Sequence, residues 1–231
     1  MIQDNEITLL IPAKNEKESI FYVLNELKKY KFKIFVVLEE SDVETLKVVK
    51  KFRNQIIFQQ KKEKGYGSAI LKGLKRVKTK YFCIFNADGS FNPKEIKNMK
   101  ITLKKKELDI IFASRYSGFS SGSDDDTMLT FIGNKIFSFI GKTLYQLKIN
   151  DILYNFILAK TEEVKSLNLK CSDFSLCVEI PLKAKHKKLK FTDCPSYERK
   201  RYSGKKKVNE FKDGFLILSY VLKFFFKKNY L

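Results

Sequence analysis

The sequence predicts one α/β domain in which helices cover both faces of a mostly parallel sheet. Three observations carry this prediction. The length of 231 residues suits a single large domain with room for a C-terminal appendage. A hydrophobic fraction of 44%, which includes 21 Phe, can fill a sizeable core and argues against disorder. In the first half of the chain, strand-like apolar runs alternate with helical patterns, as is typical of parallel sheets.

Five short apolar runs are the predicted strands. They are Ile7–Ile11, Ile34–Leu38, Ile56–Phe58, Tyr81–Phe85 and Leu108–Ala113. Pro12 follows the first run directly and favours a break from strand into loop. Because ligands of parallel sheets bind at the carboxyl ends of the strands, we expect a functional site where polar clusters follow these runs.

Helical patterns fill the spaces between the strands and continue after them. Asn15 and Glu18 have the spacing of a capping pair at the start of the first helix, and Pro93 fits the first turn of another. Further helices are predicted at Val43–Phe52, Ser68–Val77, Thr127–Tyr145 and Phe174–His186. The polar segment Ser117–Asp126 is predicted to be a loop that could close over a site, and Tyr197–Lys207 a basic, flexible segment.

The formal net charge of +20 indicates attraction to phosphate groups, nucleic acid or anionic lipid headgroups. Only five of the 46 basic residues are Arg, the residue that usually makes bidentate contacts to phosphates and bases. A lysine-rich coding bias explains the charge equally well. A basic nucleic-acid-binding protein is the non-enzyme alternative, but clustered Arg and aromatic–basic motifs are missing, so no nucleic-acid partner is predicted.

The cysteines and the N-terminus indicate a reducing compartment. The four cysteines form no CxxC pair and have no neighbouring His, which is typical of buried thiols. The N-terminal sequence lacks the basic and apolar segments of a signal peptide, so a cytoplasmic location is predicted. His186, the one histidine, lies among lysines and is predicted to be exposed and non-catalytic.

The C-terminal part is apolar over Gly214–Phe226, where Lys223 interrupts it. This run is shorter than the ~20 residues that a membrane-spanning helix needs. We therefore divide the chain into a main domain, residues 1–212, and a C-terminal helix, residues 213–231. That helix either lies in the membrane interface, with Lys227 and Lys228 near the headgroups, or packs on the core or in a dimer.

Two loop clusters carry residue types suited to phosphate chemistry. Asn86–Ser90 directly follows a strand, where the carboxylate of Asp88 could hold a divalent cation that bridges two phosphates. Lys64–Ala69 precedes a helix, and its glycines permit a close approach of the backbone to a ligand, while Lys64 adds charge. Taken alone, an ordinary turn is the preferred interpretation of each.

Six segments, in order along nearly the whole chain, carry a more specific signal. They are Leu10–Glu16, Val36–Asp42, Lys64–Gly73, Asn86–Gly89, Ala113–Tyr116 and Arg201–Lys207. The first five resemble the "IPxxNE" opening, the nucleoside-binding acidic segment, the "KGxGxAxxxG" stretch, the DxD metal motif and the "GSRY" of inverting family 2 glycosyltransferases with the GT-A fold. The sixth resembles the "RxxGxSK" of dolichyl- and polyprenyl-phosphate sugar synthases. The resemblance implies the GT-A nucleotide-diphospho-sugar transferase fold.

The resemblance also implies a role for each matching residue on the donor side. Eight residues would bind the donor: Pro12, Lys14, Glu16, Glu39, Lys64, Asn86, Ala87 and Lys207. Among these, Glu39 would reach the base or ribose, and Asn86 and Ala87 would lie along the ribose and diphosphate. Leu38 stands where the family has the first of two acidic residues, which leaves Glu39 alone.

The implied catalytic residues are Asp88, Arg115 and Arg201. Asp88 would be the main ligand of Mg²⁺ or Mn²⁺, and Ser90 stands where related enzymes often have a further residue near the metal. The two arginines would bind diphosphate or acceptor phosphate. Asn86 replaces the first Asp of the metal motif and removes a negative charge, and Lys206 replaces the Ser of the last motif.

The acceptor side offers three acidic candidates. Asp125 belongs to a run of three Asp, for which a solvated acidic loop is the favoured interpretation. Asp151 resembles an Asp near the acceptor pocket of the family. Asp173 lies, with Glu179, around a segment where family members often carry a catalytic base, but a helix cap is the preferred interpretation.

The resemblance implies transfer of a hexosyl unit from a UDP- or GDP-sugar to a polyprenyl (dolichyl or undecaprenyl) phosphate, with inversion. A phosphate acceptor is already ionised and needs little help from a general base. The alternative keeps the fold and the donor but makes the acceptor a saccharide in cell-surface polysaccharide synthesis. The predicted partners are a nucleotide sugar and a lipid phosphate at the inner face of a membrane, with a homo-oligomer through the C-terminal helix as an option.

Overall fold

A central sheet organises the computed structural model, which describes residues 2–52, 56–204 and 206–226. The strands are β1 Ile7–Ala13, β2 Lys33–Glu39, β3 Ile56–Lys61, β4 Tyr81–Ile84, β5 Ile110–Ser114, β6 Gly122–Ser123, β7 Ile157–Lys160, β8 Phe191–Pro195 and β9 Tyr197–Glu198. The α-helices are α1 Lys17–Leu27, α2 Val43–Lys50, α3 Tyr66–Leu74, α4 Glu95–Lys105, α5 Met128–Tyr145, α6 Thr161–Ser166, α7 Leu176–His186 and α8 Glu210–Phe226. A short 3₁₀ turn, Asp4–Glu6, precedes β1.

The sheet has seven strands in the order β3-β2-β1-β4-β7-β5-β8. The pairs β1–β2, β1–β4, β2–β3 and β5–β8 are parallel, whereas β7 runs antiparallel to both β4 and β5. A separate two-stranded parallel ribbon joins β6 to β9. The predicted α/β fold with a mostly parallel sheet is confirmed.

The first strands are continuous apolar runs because helices bury them on both faces. Leu9 and Ile11 of β1 point into one core cluster, with α1, α2 and α4, while Leu10 points into the other, with α3, α7 and α8. All three side chains are fully buried. An alternating pattern of apolar and polar residues would have left one face open to water.

One predicted helix start is wrong. Asn15 does not cap α1, since Glu16 is the residue before the first turn and makes no side-chain capping bond. Asn15 instead adopts a left-handed φ of 53°, and its N–H donates to Asp42 Oδ2 at 2.6 Å. The spacing predicted the helix correctly, but it did not predict that Glu16 is the residue before the first turn. At α5, by contrast, Thr127 accepts a bond from the Thr130 N–H, as a cap does.

The C-terminal helix α8 begins at Glu210, ahead of the predicted boundary at residue 213. Ile217, Val221 and Phe224 are buried in the second core cluster, so α8 packs on the domain. Its opposite side is apolar and exposed. Lys227 and Lys228, which were placed near headgroups, lie outside the described residues. In the part of the chain that the structure describes, each helix is too short or too polar to cross a membrane.

Candidate active site

The carboxyl ends of the parallel strands open into a cavity of about 520 Å³. Most of the predicted site residues line it, namely Pro12, Lys14, Glu16, Glu39, Asn86, Ala87, Asp88, Arg115, Asp125, Arg201 and Lys207. Lys64, Ser90, Asp151 and Asp173 lie outside the described wall of the cavity. Apart from Asp125, these predicted residues come from five of the six motifs, which the fold gathers at one edge of the parallel sheet, as such sheets commonly do.

One end of the cavity holds a buried carboxylate between two lysines. Glu39, at the end of β2, is buried, and its Oε1 lies 3.5 Å from Lys14 Nζ and 3.9 Å from Lys61 Nζ. Lys61 is itself only 2% exposed, and burial lowers the pKa of its ammonium group. Lys61 was not predicted as a site residue. The signal in the sequence is a lysine at the end of a strand, and the structure places it in register with Glu39 on β2.

Glu16 connects the first strand to the C-terminal basic segment. Its Oε2 accepts a bond from the Ser19 hydroxyl at 2.6 Å, and its Oε1 lies 3.3 Å from Lys207 Nζ. Burial raises the pKa of the Glu16 carboxyl, although Ser19 and Lys207 oppose the rise. Lys207 is thereby held at the cavity.

Asp88 lies on a tight turn that fixes its carboxylate. Its Oδ1 accepts bonds from the Ser90 N–H at 3.0 Å and from the Ser90 hydroxyl at 2.8 Å. Its Oδ2 is 3.7 Å from Arg201 Nη1. Gly89 has a φ of 84°, where a Cβ would come within 3.1 Å of Tyr202 Cβ, so the turn requires glycine. Ser90 is buried beneath Asp88, and the geometry shows it orienting that carboxylate.

The residues around Asp88 fit a divalent cation that a substrate helps to hold. Among the described residues, no group of three or more His, Cys, Asp or Glu could bind a metal by itself. The Ser90 hydroxyl donates to Oδ1 of Asp88, and Oδ2 is the oxygen that lies near the Arg201 guanidinium. Asn86 lines the same cavity wall. Mg²⁺ is typically held by one or two carboxylates together with phosphate oxygens and water. The set of donors suits that arrangement better than an all-protein site.

Arg201 and Asp125 form a forked ion pair beside Asp88. Arg201 Nε and Nη2 donate to the two oxygens of Asp125 at 3.1 and 2.6 Å. The side chain of Asp125 is only 11% exposed, and that of Asp126 is 9% exposed. The prediction of a solvated acidic loop is therefore wrong for these two residues, and holds only for Asp124, which is exposed.

Arg115 is a buried anchor. Its Nε and Nη2 donate to Asp151 at 2.8 and 3.0 Å, and its Nη1 donates to Glu198 at 3.1 Å. Tyr154 stacks on the guanidinium, whose carbon is 4.5 Å from the ring centroid. These contacts leave Arg115 little freedom to bind a phosphate, contrary to the role that the resemblance implied. Asp151 is fully buried against Arg115 and does not line the cavity.

The remaining acidic candidates support the backbone. Asp173 Oδ1 accepts a bond from the Ser175 N–H at 2.7 Å in the turn before α7, whereas Ser175 is the residue that caps α7 and it makes no side-chain capping bond. Glu179 accepts the backbone N–H groups of Lys170 and Cys171. Both carboxylates are thus used in holding the segment before α7.

The glycines before α3 make room for the protein's own backbone. A Cβ at Gly65 would lie 2.3 Å from the Ser172 carbonyl oxygen, and one at Gly67 would lie 2.3 Å from that of Cys171. The Ser68 N–H also donates to the Ser172 carbonyl at 2.9 Å. Both glycines are thus needed for the close approach of residues 171–173, and Gly65 also lines the cavity. Lys64 is exposed and lies off the cavity wall.

One side of the cavity is apolar. It lies between α5 and α8, which contact one another along part of their length. Leu129, Ile132, Ile136 and Phe137 line it from α5, and Phe211 and Ile217 line it from α8. Helical patterns in the sequence predicted α5 and α8, but nothing in those patterns placed the two helices at the site.

Comparisons with known proteins agree with this architecture. The family model described as "Glycosyl transferase family 2" matches residues 8–165. A dolichol-phosphate mannosyltransferase of Pyrococcus furiosus is 25% identical over 194 residues, which are 80% of this chain and 54% of that protein. The chain spans about half the length of the curated relatives it matches.

Two solved structures share the fold at low sequence identity. Glucosyl-3-phosphoglycerate synthase from Mycobacterium tuberculosis, solved with Mn²⁺, UDP and glucosyl-3-phosphoglycerate, has a TM-score of 0.71 and 12% identity, over 94% of this chain and 78% of that one. S. aureus TarS with UDP-GlcNAc has a TM-score of 0.62 and 16% identity, over 93% and 65% of the two chains. The chain is therefore a glycosyltransferase domain that belongs to glycosyl transferase family 2 and has the GT-A fold.

Proposed function

We propose that this protein transfers a hexosyl unit from a UDP- or GDP-sugar to a polyprenyl phosphate, with inversion at the anomeric carbon. One observation carries the proposal. Asp88, Arg201 and Lys207 line the same cavity as a buried carboxylate suited to a nucleobase and an apolar wall between α5 and α8. This arrangement has a place for each of three chemically different parts: a base, a set of phosphates and a hydrocarbon chain.

The Glu39 end suits the base of the donor. A buried carboxylate accepts hydrogen bonds from the ring N–H of uracil or from the N–H groups of guanine, whereas Lys14 and Lys61 can donate to the neighbouring carbonyl oxygens of either base. Cytosine and adenine lack a ring N–H on that edge, so they are poorer partners. The structure of S. aureus TarS with UDP-GlcNAc supports a uridine donor.

The Asp88 turn suits the diphosphate and its cation. Asp88, with Asn86 beside it, would hold Mg²⁺ or Mn²⁺, and Ser90 would keep the carboxylate in position. Such a cation neutralises the negative charge that develops on a departing nucleoside diphosphate. The Mn²⁺–UDP complex of the mycobacterial synthase supports this assignment. Arg201, kept extended by Asp125, adds a guanidinium at the same place.

The acceptor follows from the charge and from the relative in Pyrococcus furiosus. Arg201, Lys206 and Lys207 line the cavity next to the apolar wall, so a phosphate joined to a hydrocarbon would meet matching surfaces at both ends. A phosphate nucleophile is ionised at neutral pH and requires no general base, which agrees with the structural use of Asp151, Asp173 and Glu179. The net charge of +20 would draw the protein to an anionic membrane surface that displays the acceptor.

A transfer assay tests the proposal. Radiolabelled UDP- and GDP-hexoses are incubated with the protein and Mn²⁺, with and without polyprenyl phosphate, and lipid-extractable label is counted. We expect label in the lipid fraction only with polyprenyl phosphate, and its loss in Asp88→Ala with the fold retained by circular dichroism. Label that appears on a saccharide, with no response to lipid phosphate, would assign the protein to polysaccharide synthesis instead.

A further inference from the structure

Two glycines lie inside helices at places where packing does not require them. Gly133 is in the second turn of α5 and Gly214 is in the second turn of α8, and both line the cavity. A Cβ added to either would meet no atom within 4 Å outside its own stretch of helix in the described residues. Glycine inside a helix is less stable than alanine, so both positions give up helix stability.

A third glycine on α5 shows what a packing glycine looks like. A Cβ at Gly141 would lie 3.0 Å from Ile152 Cδ1 and 3.2 Å from Leu147 Cδ1. Gly141 is therefore explained by the close approach of these side chains. Gly133, two turns earlier on the same helix, faces open space.

Apolar side chains flank Gly133 on the cavity side of α5. Leu129, Ile136 and Phe137 are three or four residues away from it, and Ile132 is three residues from Leu129 and four from Ile136, so these side chains form one stripe along the helix. Leu129, Ile132 and Ile136 are each about half exposed, at 51%, 47% and 52%. This stripe is a wetted apolar surface that still has room for a partner.

The facing stripe on α8 is also apolar, with one exposed and one buried side chain. Phe211 and Ile217 flank Gly214 and line the cavity, and Phe211 is 81% exposed. We call the space between the two stripes the α5–α8 trough. Gly133 and Gly214 both line this space without a side chain, and an added Cβ at either would be free of close neighbours, so the trough is open at both glycines.

The trough opens onto the cationic part of the site. Lys206 Nζ lies 3.4 Å from Thr130 Oγ1 on α5, and Lys207 and Arg201 line the same cavity. A ligand in the trough therefore meets apolar walls along its length and positive charge at one end. That combination favours an amphiphile with one anionic end group. A second copy of this basic protein does not have that character.

We propose that the α5–α8 trough binds the hydrocarbon chain next to the acceptor phosphate, and that Gly133 and Gly214 set which chains fit. The inference rests on the proposed function and adds to it a binding site and two residues that determine chain specificity. The phosphate lies among Arg201, Lys206 and Lys207, and the first isoprene units occupy the trough at the two glycines. Each methylene group removed from water there strengthens binding.

Leucine substitutions at the two glycines test the trough without using activity. We would measure binding of a long-chain polyprenyl phosphate and of isopentenyl phosphate, in detergent and without donor, to the wild type, Gly133→Leu and Gly214→Leu. The leucines fill the trough, so we expect the long-chain ligand to bind at least ~10-fold more weakly, or about 1.4 kcal/mol. Isopentenyl phosphate should change by less than about twofold, since it is held mainly by charge. Gly133→Ala and Gly214→Ala should weaken binding of the long-chain ligand by less than the leucine substitutions do.

Thr143→Leu is the matched control because it adds an exposed leucine to α5 away from the cavity wall. Thermal melts and UDP binding establish that each variant is folded. Unchanged long-chain binding in both leucine variants, or an equal loss of both ligands, would overturn the proposal. Loss of a dimer in sedimentation, with both phosphates bound as before, would instead make the trough a contact between two copies. Because the binding assay needs no sugar transfer, it is read separately from the transfer assay that tests the proposed function.

Discussion

Arg201 donates two side-chain hydrogen bonds to Asp125, and Nη1 of the Arg201 guanidinium lies 3.7 Å from Oδ2 of Asp88. The two acidic residues come from different parts of the chain, the loop after β4 and the loop before α5. The basic residue that joins them comes from a third. This geometry makes Arg201 the cation that the protein itself supplies at the proposed diphosphate site.

Arg201→Lys should lower kcat/KM for sugar transfer on the order of 100-fold, because a lysine cannot hold Asp125 with a planar fork and also face the diphosphate. Steady-state kinetics with donor and acceptor varied in turn measures the loss. Lys200→Arg, at a neighbouring exposed position, is the control, since it also exchanges one basic residue type for the other and keeps the charge. An unchanged kcat/KM in Arg201→Lys, as expected for Lys200→Arg, would mean that positive charge alone is sufficient and the forked geometry is not needed.

Ser90→Ala should weaken metal activation by roughly 10–100-fold, since Asp88 would lose the hydroxyl that orients its Oδ1. A titration of transfer rate against Mn²⁺ concentration measures this. The maximal rate at saturating Mn²⁺ should stay close to that of the wild type. A fall in the maximal rate with no shift in the Mn²⁺ midpoint would contradict the orienting role.

Asn86→Asp should have the opposite effect on the metal. It returns a second negative charge to the cavity wall next to Asp88, so we expect half-maximal activation at a Mn²⁺ concentration lower by a factor of ~10. The same titration serves as the measurement. An Asp at position 86 that left the midpoint unchanged would show that this side chain does not approach the cation.

Asp151→Asn should destabilise the fold by about 3–5 kcal/mol, because it leaves the buried guanidinium of Arg115 without its main charge partner. Urea unfolding gives the free energy of unfolding directly. Glu44→Gln breaks the solvent-exposed pair with Lys47, and we expect no measurable change from it. If Asp151→Asn behaved like Glu44→Gln, the network would not be the anchor described above.

The pKa of Glu16 predicts a pH dependence of stability. Burial raises this pKa in the folded protein, so as pH rises the unfolded chain releases its proton first. The stability contributed by the protonated group is complete below the ordinary pKa of glutamate, and it is lost as pH rises through the folded value. Glu16→Gln should therefore gain stability relative to the wild type across that window and then keep a constant difference.

Urea unfolding at a series of pH values measures the difference for Glu16. Glu18→Gln controls for the loss of one negative charge near the start of α1, where Glu18 is exposed. A difference between Glu16→Gln and the wild type that is the same at every pH would refute the raised pKa.

Local patterns in the sequence predicted the first five strands because each contains an apolar run, and β1, β2, β4 and β5 are almost completely buried, as Leu9 to Ile11 show. They also predicted that Asp88 would stand at a strand end. Strands β7 and β8 escaped prediction. β7 lies outside the alternation of strands and helices and enters the sheet antiparallel between β4 and β5, and β8 is an edge strand that contains Asp193, so neither fits the pattern used for the parallel strands.

The partners of charged residues were harder to predict than their positions. A motif places Arg115 at the end of β5, but only the fold shows that Asp151 and Glu198 saturate its guanidinium. Likewise, glycines before a helix are consistent with a ligand or with a neighbouring chain segment. The close approach of Ser172 to Gly65 is a tertiary contact across more than a hundred residues, and no local pattern encodes it.

The bond from Arg115 to Glu198 spans 83 positions and has a consequence for biosynthesis. A nascent chain that has reached residue 165, where the family match ends, already contains the turn that carries Asp88. It still lacks Glu198, Arg201 and Lys207, so one of the three carboxylates around Arg115 and the basic residues of the Arg201–Lys207 segment are missing. On the ribosome the nucleotide end of the site can therefore form first, while the phosphate end waits for residues 198–207.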